Sequence, residues 1–254
     1  PSTIFFNCLK YLHKRKDMLM RRSTVLLRAM RRRQLHTSSI VVSEFGSPDV
    51  MKYVESHEVR DEISENEVLV KLSAAGVNPS DTYVRLGPNG PYKGNKKLIP
   101  DLPYTPGKDA AGVIERVGSA VTNFKKSDRV YVSGSVSGTY SNYAICNAST
   151  VYALPSNVSF SQGACVGVPC ATAHRAIHSR GKLKKGESVF IHGASGAVGL
   201  AAVQLAVRAG ARVVGSAGTK DGMDAVLTAG AHDVVNHRED DYLNSAVSGG
   251  EFDL

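Results

Sequence analysis

The hydrophobic pattern in the first part of the chain is that of short β-strands. Val, Ile and Tyr alternate with polar residues, and Gly, Pro and Asn interrupt them in segments such as VNPSD and YTPGKD. The predicted strands are Ile40–Val42, Val68–Ser73, Gly112–Val117, Arg129–Val132 and Tyr143–Cys146. Valine-rich segments joined by tight turns predict a small curled barrel and not a parallel sheet.

The pattern changes near residue 156. A segment with Ser and Asn at its start is predicted to be helical as far as Gly181, and apolar runs then alternate with amphipathic ones. The predicted elements are strand Ser188–His192, helix Ala197–Ala209, strand Arg212–Ser216, helix Lys220–Thr228 and strand Asp233–Asn236. This alternation is one wing of a doubly wound parallel sheet, and the final GGEFDL is predicted to begin a fourth strand. The predicted fold class is α/β, with a β-barrel domain over 38–155 and an incomplete doubly wound domain over 156–254.

Composition supports an ordinary globular protein. The 254 residues are 42% hydrophobic and 21% charged, which excludes disordered, collagen-like and disulfide-scaffold classes. No run approaches the ~18 consecutive apolar residues of a membrane-spanning helix, so no membrane span is expected.

The positive charge is concentrated at one end of the chain. Residues 1–36 hold ten of the 31 basic residues and one of the 23 acidic ones, so the other 218 residues carry 21 basic and 22 acidic groups, a net charge of −1. A neutral body does not predict nucleic acid as a partner.

The basic segment resembles a mitochondrial transit peptide over residues 1–37. It is rich in Arg, Ser and Thr, it has no acidic residue between Asp17 and Glu44, and the stretch RRRQLHTSS predicts cleavage near Leu35–Ser39. We therefore expect a mitochondrial matrix location, with a cytoplasmic one as the alternative. A disordered basic leader stays open as an interpretation, and residues 1–17, which follow Pro1 and not Met, stay open as sequence outside the natural protein.

The cysteines and histidines do not predict a metal site. Cys8, Cys146, Cys165 and Cys170 contain no C-x-x-C pair, and we interpret the last three as small buried hydrophobic residues in a reducing compartment. His174 and His178 lie four residues apart without a third ligand, and they are interpreted as packing or surface residues.

The turn between the first strand and helix of the second domain carries the strongest motif. It reads GASGAVG, and its candidate phosphate-binding residues are Gly193, Ser195, Gly196, Ala197, Val198 and Gly199. Glycines let backbone N–H groups approach a phosphate closely, and the helix that follows supplies free donors and a favourable dipole. Because the motif lies between an apolar strand and an amphipathic helix, it predicts a dinucleotide site.

The end of the second strand predicts which dinucleotide binds. NAD sites place Asp or Glu there to bind the ribose 2′-hydroxyl, whereas this chain reads GSAGTK. Ser216, Gly218, Lys220 and His237, together with Arg238, are candidates for binding the 2′-phosphate of NADPH, although Asp221 is an unfavourable neighbour.

Several motifs together resemble one family. VNPSDTYVRLG, LPYTPGKDAAGVIERVG, SGTYSNYA, HGASGAVGLAAVQLAVRAGA and AGAHDVVNHRE are similar to the medium-chain dehydrogenase/reductase superfamily, in particular its zeta-crystallin-like NADPH:quinone oxidoreductase branch. The resemblance covers Ile40 to Leu254. It implies a GroES-like catalytic domain and a Rossmann domain with NADPH between them, a quinone or enone substrate, a homo-oligomer at full length, and a further C-terminal segment that this sequence lacks.

The sequence departs from the zinc-dependent members of that superfamily. Where those proteins carry Gly-His-Glu and a Cys ligand, this chain has Pro106–Asp109 and Val77–Asp81, and it has no four-cysteine lobe. We therefore expect no catalytic zinc. The loop Gly87–Leu102 is longer than the family pattern and is expected to reshape the substrate mouth.

The resemblance also implies roles for single residues. Asn78 and Tyr83 are the candidate catalytic residues, with Tyr83 and Thr172 also beside the nicotinamide. The alternatives are a turn-forming Asn before Pro79, a half-buried Tyr and a Thr on the helix surface. Cys170 is a candidate for reaction with quinones.

Three functions stay open at this point. The first is a metal-free NADPH-dependent reductase of quinones or other conjugated carbonyls. The second is a mitochondrial enoyl-thioester reductase with Tyr83 as proton donor. The third is a non-catalytic member that binds RNA or has a structural role, and an inactive fragment is a further alternative because a half-built sheet leaves apolar edges exposed.

Overall fold

A computed structural model describes residues 35–60, 62–247 and 250–254. The predicted transit peptide lies outside the described residues except for its last positions, which belong to the first strand. Within the described ranges, no helix is both long enough and apolar enough to cross a membrane.

An antiparallel hairpin begins the described chain. Strand β1 (Leu35–Val42) pairs with β2 (Met51–Val59), and a 3-10 turn at Pro48–Val50 precedes β2. Bridges from Ser39 to Ser141 and from Val42 to Tyr104 attach β1 to the rest of the domain. The predicted cleavage region Leu35–Ser39 is therefore part of a paired strand.

The predicted barrel-like domain contains a five-stranded sheet. Its strands are β3 (Glu67–Gly76), β4 (Asp109–Val117), β5 (Arg129–Ser133), β6 (Tyr143–Asn147) and β7 (Val151–Ala153), in the order β6-β3-β4-β5-β7. Every pairing is antiparallel, and two register shifts between β3 and β4 mark bulges. Bulges bend the strands that carry them, which suits a curled sheet. Val68, Val70, Ile114, Val130 and Val132 form its buried core.

Three helices lie beside a cleft at the edge of the five-stranded sheet. The connection from β3 to β4 contains α1 (Pro79–Leu86) and 3-10 turns at Gly87–Asn89 and Lys96–Leu98. After β7 come α2 (Phe160–Ala164) and α3 (Gly167–His174), and the chain continues as a π-helical turn over Arg175–Arg180. A capping box between Ser159 and Gln162 begins α2.

The second sheet is parallel. It consists of β8 (Ser188–Ile191), β9 (Arg212–Ala217) and β10 (Asp233–Asn236) in the order β10-β9-β8, with α4 (Ala197–Arg208) and α5 (Lys220–Thr228) as crossovers and α6 (Tyr242–Val247) after β10. Residues 250–254 run beside β8, where Phe190 donates to the Leu254 carbonyl at 3.0 Å and Asp253 donates to that of Ser188 at 2.9 Å. The chain after β10 thus returns to the free edge of β8, the first strand of the parallel sheet. This strand order is that of a Rossmann sheet.

The two sheets meet through the helices that connect them. Helix α2 packs on β3 and β4, whereas α3 packs on α4 of the parallel domain. The predicted α/β fold class is confirmed, and the described residues form a two-stranded and a five-stranded antiparallel sheet and a three-stranded parallel sheet. The domain limits at 37/38 and 155/156 stay predictions.

Candidate functional site

A cleft of about 800 Å³ lies between the two sheets. Its walls come from the glycine turn after β8, the N-terminal half of α3 and the start of α1. The lining includes Asn78, Asp109, Cys165, Val168, Gly193, Gly196, Ala197, Val198, Gly199 and Leu254. Most of the exposed lining is apolar, so the few polar groups in it determine how a ligand is oriented.

The glycine turn forms a phosphate cradle. Gly193 has a φ of +59°, which glycine adopts readily, and a Cβ on Gly199 would lie 2.5 Å from the Gly193 carbonyl oxygen and 2.6 Å from the Ala194 Cα. Gly196 is the N-cap of α4, so the N–H groups of Ala197, Val198 and Gly199 precede the first intrahelical bond, from Leu200 to Gly196. A diphosphate fits this cradle because free N–H donors and the positive end of the helix dipole both face the cleft.

Ser216, near the end of β9, binds the glycine turn through two hydrogen bonds. Its Oγ accepts a hydrogen bond from the Gly193 N–H at 3.2 Å, its carbonyl accepts one from Ala194 at 2.8 Å, and the residue is fully buried. The Nδ1 atoms of His192 and His237 lie 3.5 and 3.4 Å from the same Oγ. Ser216 thus holds the turn in place, and its hydroxyl is already engaged within the protein.

The other residues predicted to bind a 2′-phosphate lie at the ends of β9 and β10. A Cβ on Gly218 would lie 2.6 Å from His237 Nε2 and 2.9 Å from Arg238 Nε, so both basic side chains lie over Gly218. Lys220 is exposed and pairs with Asp224 at 2.7 Å. The structure therefore brings Gly218, His237 and Arg238 together and directs the Lys220 ammonium along its own helix.

On the opposite wall, Asn78 and Asp109 form a buried pair. Asn78 Nδ2 donates to Asp109 Oδ2 at 2.9 Å, and the Val168 N–H donates to the same oxygen at 2.7 Å. Burial raises the pKa of Asp109, while the hydrogen bonds from Val168 and Asn78 act in the opposite direction. Sequence reasoning missed Asp109, although its place in the PGKD segment, where zinc enzymes of the superfamily carry a Glu, was an available signal.

Besides the four residues at the ends of β9 and β10, Tyr83, Thr172 and Ser195 also lie outside the lining of the cleft. Tyr83, on α1, is 37% exposed and packs edge-to-face on Tyr92 with ring centroids 5.8 Å apart. The Thr172 hydroxyl donates to the Val168 carbonyl of its own helix at 2.7 Å, and the Ser195 side chain lies beside Gly222. The roles of these three residues stay predictions.

The cysteines differ in exposure. Cys146 is buried, and burial raises its pKa to about 12. Cys170 is half-buried with a pKa raised by burial, whereas Cys165 is exposed in the lining of the cleft. The expectation that all three are buried is wrong for Cys165, because this residue follows the last turn of α2 at the cleft instead of facing a sheet.

His174 and His178 contact each other, with ring centroids 4.9 Å apart. In the part of the chain that the structure describes, no three His, Cys, Asp or Glu residues cluster as a metal site.

A second cavity, of about 870 Å³, lies in the antiparallel domain and contains no residue of the glycine turn. Lys97 and Leu98 of the long loop and Tyr104 line it. The loop Gly87–Leu102 thus contributes to this cavity and not to the lining of the cleft.

Sequence comparisons identify both domains. The profile described as "Alcohol dehydrogenase GroES-like domain" matches residues 64–156, and that described as "Zinc-binding dehydrogenase" matches residues 197–254. Among curated relatives, the quinone oxidoreductase of Lama guanicoe is 50% identical over 202 residues, covering 80% of this chain and 59% of the relative. That of Homo sapiens is 46% identical over 211 residues, covering 81% and 60%. The chain thus spans about 60% of the length of these relatives.

Solved structures with a similar fold include a quinone oxidoreductase and an enoyl reductase. The quinone oxidoreductase of Escherichia coli complexed with NADPH has a TM-score of 0.73 at 34% identity, covering 84% of this chain and 63% of that one. The CurK enoyl reductase has a TM-score of 0.75 at 27% identity, covering 85% and 64%.

A GroES-like sheet joined to a Rossmann sheet, with a glycine turn at the cleft between them, defines a medium-chain dehydrogenase/reductase. Within that superfamily, the chain is similar to the quinone oxidoreductases at 46–50% identity over about 80% of its length, and the resemblance found in the sequence is confirmed.

Proposed function

We propose that the full-length protein is an NADPH-dependent reductase of quinones or related conjugated carbonyls. The observation that carries this proposal is the position of the phosphate cradle and Asn78 on facing walls of one cleft. The quinone oxidoreductase relatives support it, as does the similar E. coli structure solved with NADPH.

The residues at the cleft suit NADPH. The N–H groups of Ala197–Gly199 would hold the diphosphate in the cleft, and the basic side chains of His237 and Arg238, which lie over Gly218, would hold the 2′-phosphate, with no carboxylate at the end of β9 to repel it. When bound, NADPH supplies a hydride. Lys220 belongs to this proposal only if its pair with Asp224 opens.

The substrate side requires a hydrogen-bond donor. Hydride addition to a conjugated carbonyl compound builds negative charge on its oxygen, and a hydrogen-bond donor held in a largely apolar cleft stabilises that charge. Asn78 is the amide donor in the lining. We include zinc independence in the proposal because PGKD replaces the Gly-His-Glu of the zinc enzymes, so the residues at that position lack their imidazole donor.

An assay with two acceptors tests the proposal. Full-length protein is expected to oxidise NADPH with 1,4-naphthoquinone and to oxidise NADH far more slowly. Activity with crotonyl-CoA alone would instead assign an enoyl-thioester reductase, the alternative that the similarity to CurK favours. Activity with neither acceptor, together with RNA binding that persists without residues 1–37, would assign the non-catalytic alternative.

Location and assembly belong to the same proposal. The acid-free, Arg-rich segment before Glu44 supports import into mitochondria, and the family resemblance supports a homo-oligomer. Import and processing by isolated mitochondria test the first point, and light scattering of the full-length protein tests the second.

A further inference from the structure

Asp109 lies where three elements of the cleft meet. It is the first residue of β4 and only 1% exposed. Its Oδ2 binds Asn78 at the N-cap of α1 and the Val168 N–H in the first turn of α3, which are 31 and 59 residues away in sequence. In the part of the chain that the structure describes, its buried Oδ1 has no hydrogen-bond partner. A buried carboxylate with one unpartnered oxygen is unfavourable for stability, so its presence calls for a functional reason.

Two glycines make room for this carboxylate. A Cβ on Gly167, at the start of α3, would overlap Asp109 Oδ1. A Cβ on Gly76, at the end of β3, would lie 3.0 Å from the Asp109 Cβ and would overlap the Ala164 carbonyl. The elements on either side of Asp109 therefore approach it more closely than any side chain permits. The position of the carboxylate is fixed by its surroundings.

The chemistry of the pair determines which way the Asn78 amide faces. An ionised carboxylate only accepts hydrogen bonds, and an amide has an accepting oxygen at one end and a donating nitrogen at the other. With Asp109 ionised, rotating the amide by half a turn would bring its oxygen against Asp109 Oδ2, and two acceptors repel. The nitrogen must face Asp109, and only one of its two hydrogens is used there.

We propose that Asp109 is a positioning residue that fixes the amide orientation of Asn78, so that the second Nδ2 hydrogen stays available as a donor in the cleft. The inference rests on the proposed function only in naming a substrate carbonyl as the acceptor of that hydrogen. The same carboxylate accepts the Val168 N–H and so binds the first turn of α3 to the catalytic domain. This bond keeps the two walls of the cleft in a fixed relative position.

The side-chain amide of Asn78 provides a direct readout that needs no turnover. In the full-length protein, nitrogen-15 NMR is expected to show one of the two Nδ2 proton signals shifted downfield by its hydrogen bond to the carboxylate, with Asn78→Ala assigning the pair. Asp109→Asn keeps the shape of the side chain but lets either end of the Asn78 amide face it. The two signals are then expected to move together or to split into two sets. Nδ2 proton signals at ordinary side-chain amide positions in the unmodified protein, or unchanged signals in Asp109→Asn, would overturn the inference.

Kinetics give the second readout. Asp109→Asn is expected to lower kcat/KM for 1,4-naphthoquinone roughly tenfold to a hundredfold, because misplacing a reacting group by about 1 Å has effects of that size, while the Kd for NADPH stays unchanged. If Asp109 acts through Asn78, the same change adds no further loss to Asn78→Ala. Additive losses would contradict the inference. Asp49→Asn, an exposed Asp of the same domain, is the matched control. An unmodified protein without any NADPH oxidation would instead contradict the proposed function and leave the NMR result to decide on Asp109.

Discussion

Gly193 donates its N–H to the Oγ of Ser216 at 3.2 Å, so the first residue of the phosphate turn is tied to the end of the neighbouring strand. The bond joins residues 23 positions apart and forms inside the domain, where Ser216 is fully buried. A turn held in this way needs little rearrangement when a dinucleotide binds.

Ser216→Ala tests this support. The substitution removes the acceptor of the Gly193 N–H, a loss of about 0.5–1.5 kcal/mol for a typical hydrogen bond, and we expect NADPH affinity to fall up to about tenfold. Fluorescence titration of NADPH measures the change. Thr228→Ala is the control, because it removes an exposed hydroxyl hydrogen bond, which Thr228 donates to the Asp224 carbonyl within α5. Wild-type affinity in Ser216→Ala would show that the turn keeps its shape without this bond.

Two glycines of the turn should respond differently to alanine. At Gly199 a Cβ would meet backbone atoms at 2.5–2.7 Å, so Gly199→Ala is expected to lower the free energy of unfolding by about 1–3 kcal/mol. At Gly196 the nearest atom would be 3.4 Å away and φ is −76°, so Gly196→Ala should fold normally and lose NADPH affinity, because the methyl group faces the diphosphate. Urea denaturation and NADPH titration of both variants separate the two effects. Equal stabilities would contradict the steric argument.

The basic pair over Gly218 predicts cofactor preference. Replacing His237 and Arg238 together by Ala is expected to lower NADPH affinity at least tenfold and to leave NADH affinity nearly unchanged, because only NADPH carries the 2′-phosphate. Titrations with both dinucleotides measure the ratio. Lys184→Ala removes an exposed charge elsewhere in the same domain and serves as the control. An equal loss for both dinucleotides would place the pair elsewhere on the cofactor.

Asp109 predicts a pH-dependent stability. Burial raises its folded-state pKa above the ordinary 3.8, with Asp81 acting in the same direction and Lys108 in the opposite one. The stability contributed by the protonated form is complete below 3.8 and is lost as the pH rises through the folded-state pKa. Asp109→Asn lacks this loss, so its free energy of unfolding relative to the unmodified protein should increase as the pH rises from about 4 to 8. Urea denaturation across that range measures the difference, and a constant difference would contradict the prediction.

The same urea denaturation series distinguishes a role of Asp109 in positioning Asn78 from a role in stabilising the fold. If Asp109 only supported the fold, its neutral variant would lose stability and activity together. A variant that is at least as stable near pH 7 and yet slower has lost the orientation of Asn78 and not the structure around it.

Most secondary structure followed from local pattern. The predicted elements of the parallel domain agree with the structure to within one residue at their ends, for example Ala197–Ala209 against Ala197–Arg208. Strands β2 and β7 were missed. The sequence of β2, MKYVESHEV, carries polar residues on both faces because its hairpin is largely exposed, and β7 has only three residues.

The candidate site was predictable only in part. The glycine turn could be located because its conformation depends on glycines within seven consecutive residues. Cys165 and Tyr83 show the limit. Cys165 directly follows α2 and Tyr83 lies on α1, and the orientation of each helix relative to the cleft depends on packing with distant strands, so neither exposure follows from neighbouring residues.

By itself, the sequence determined the order of the elements, the phosphate turn and the family, because turn glycines, caps and hydrophobic periods act over a few residues. Only the tertiary structure decided that Asp109 contacts Asn78 and Val168 in the wall of the cleft. The charge state and orientation of such a group depend on burial and on donors from elements distant in sequence. Those quantities exist only once the chain has folded.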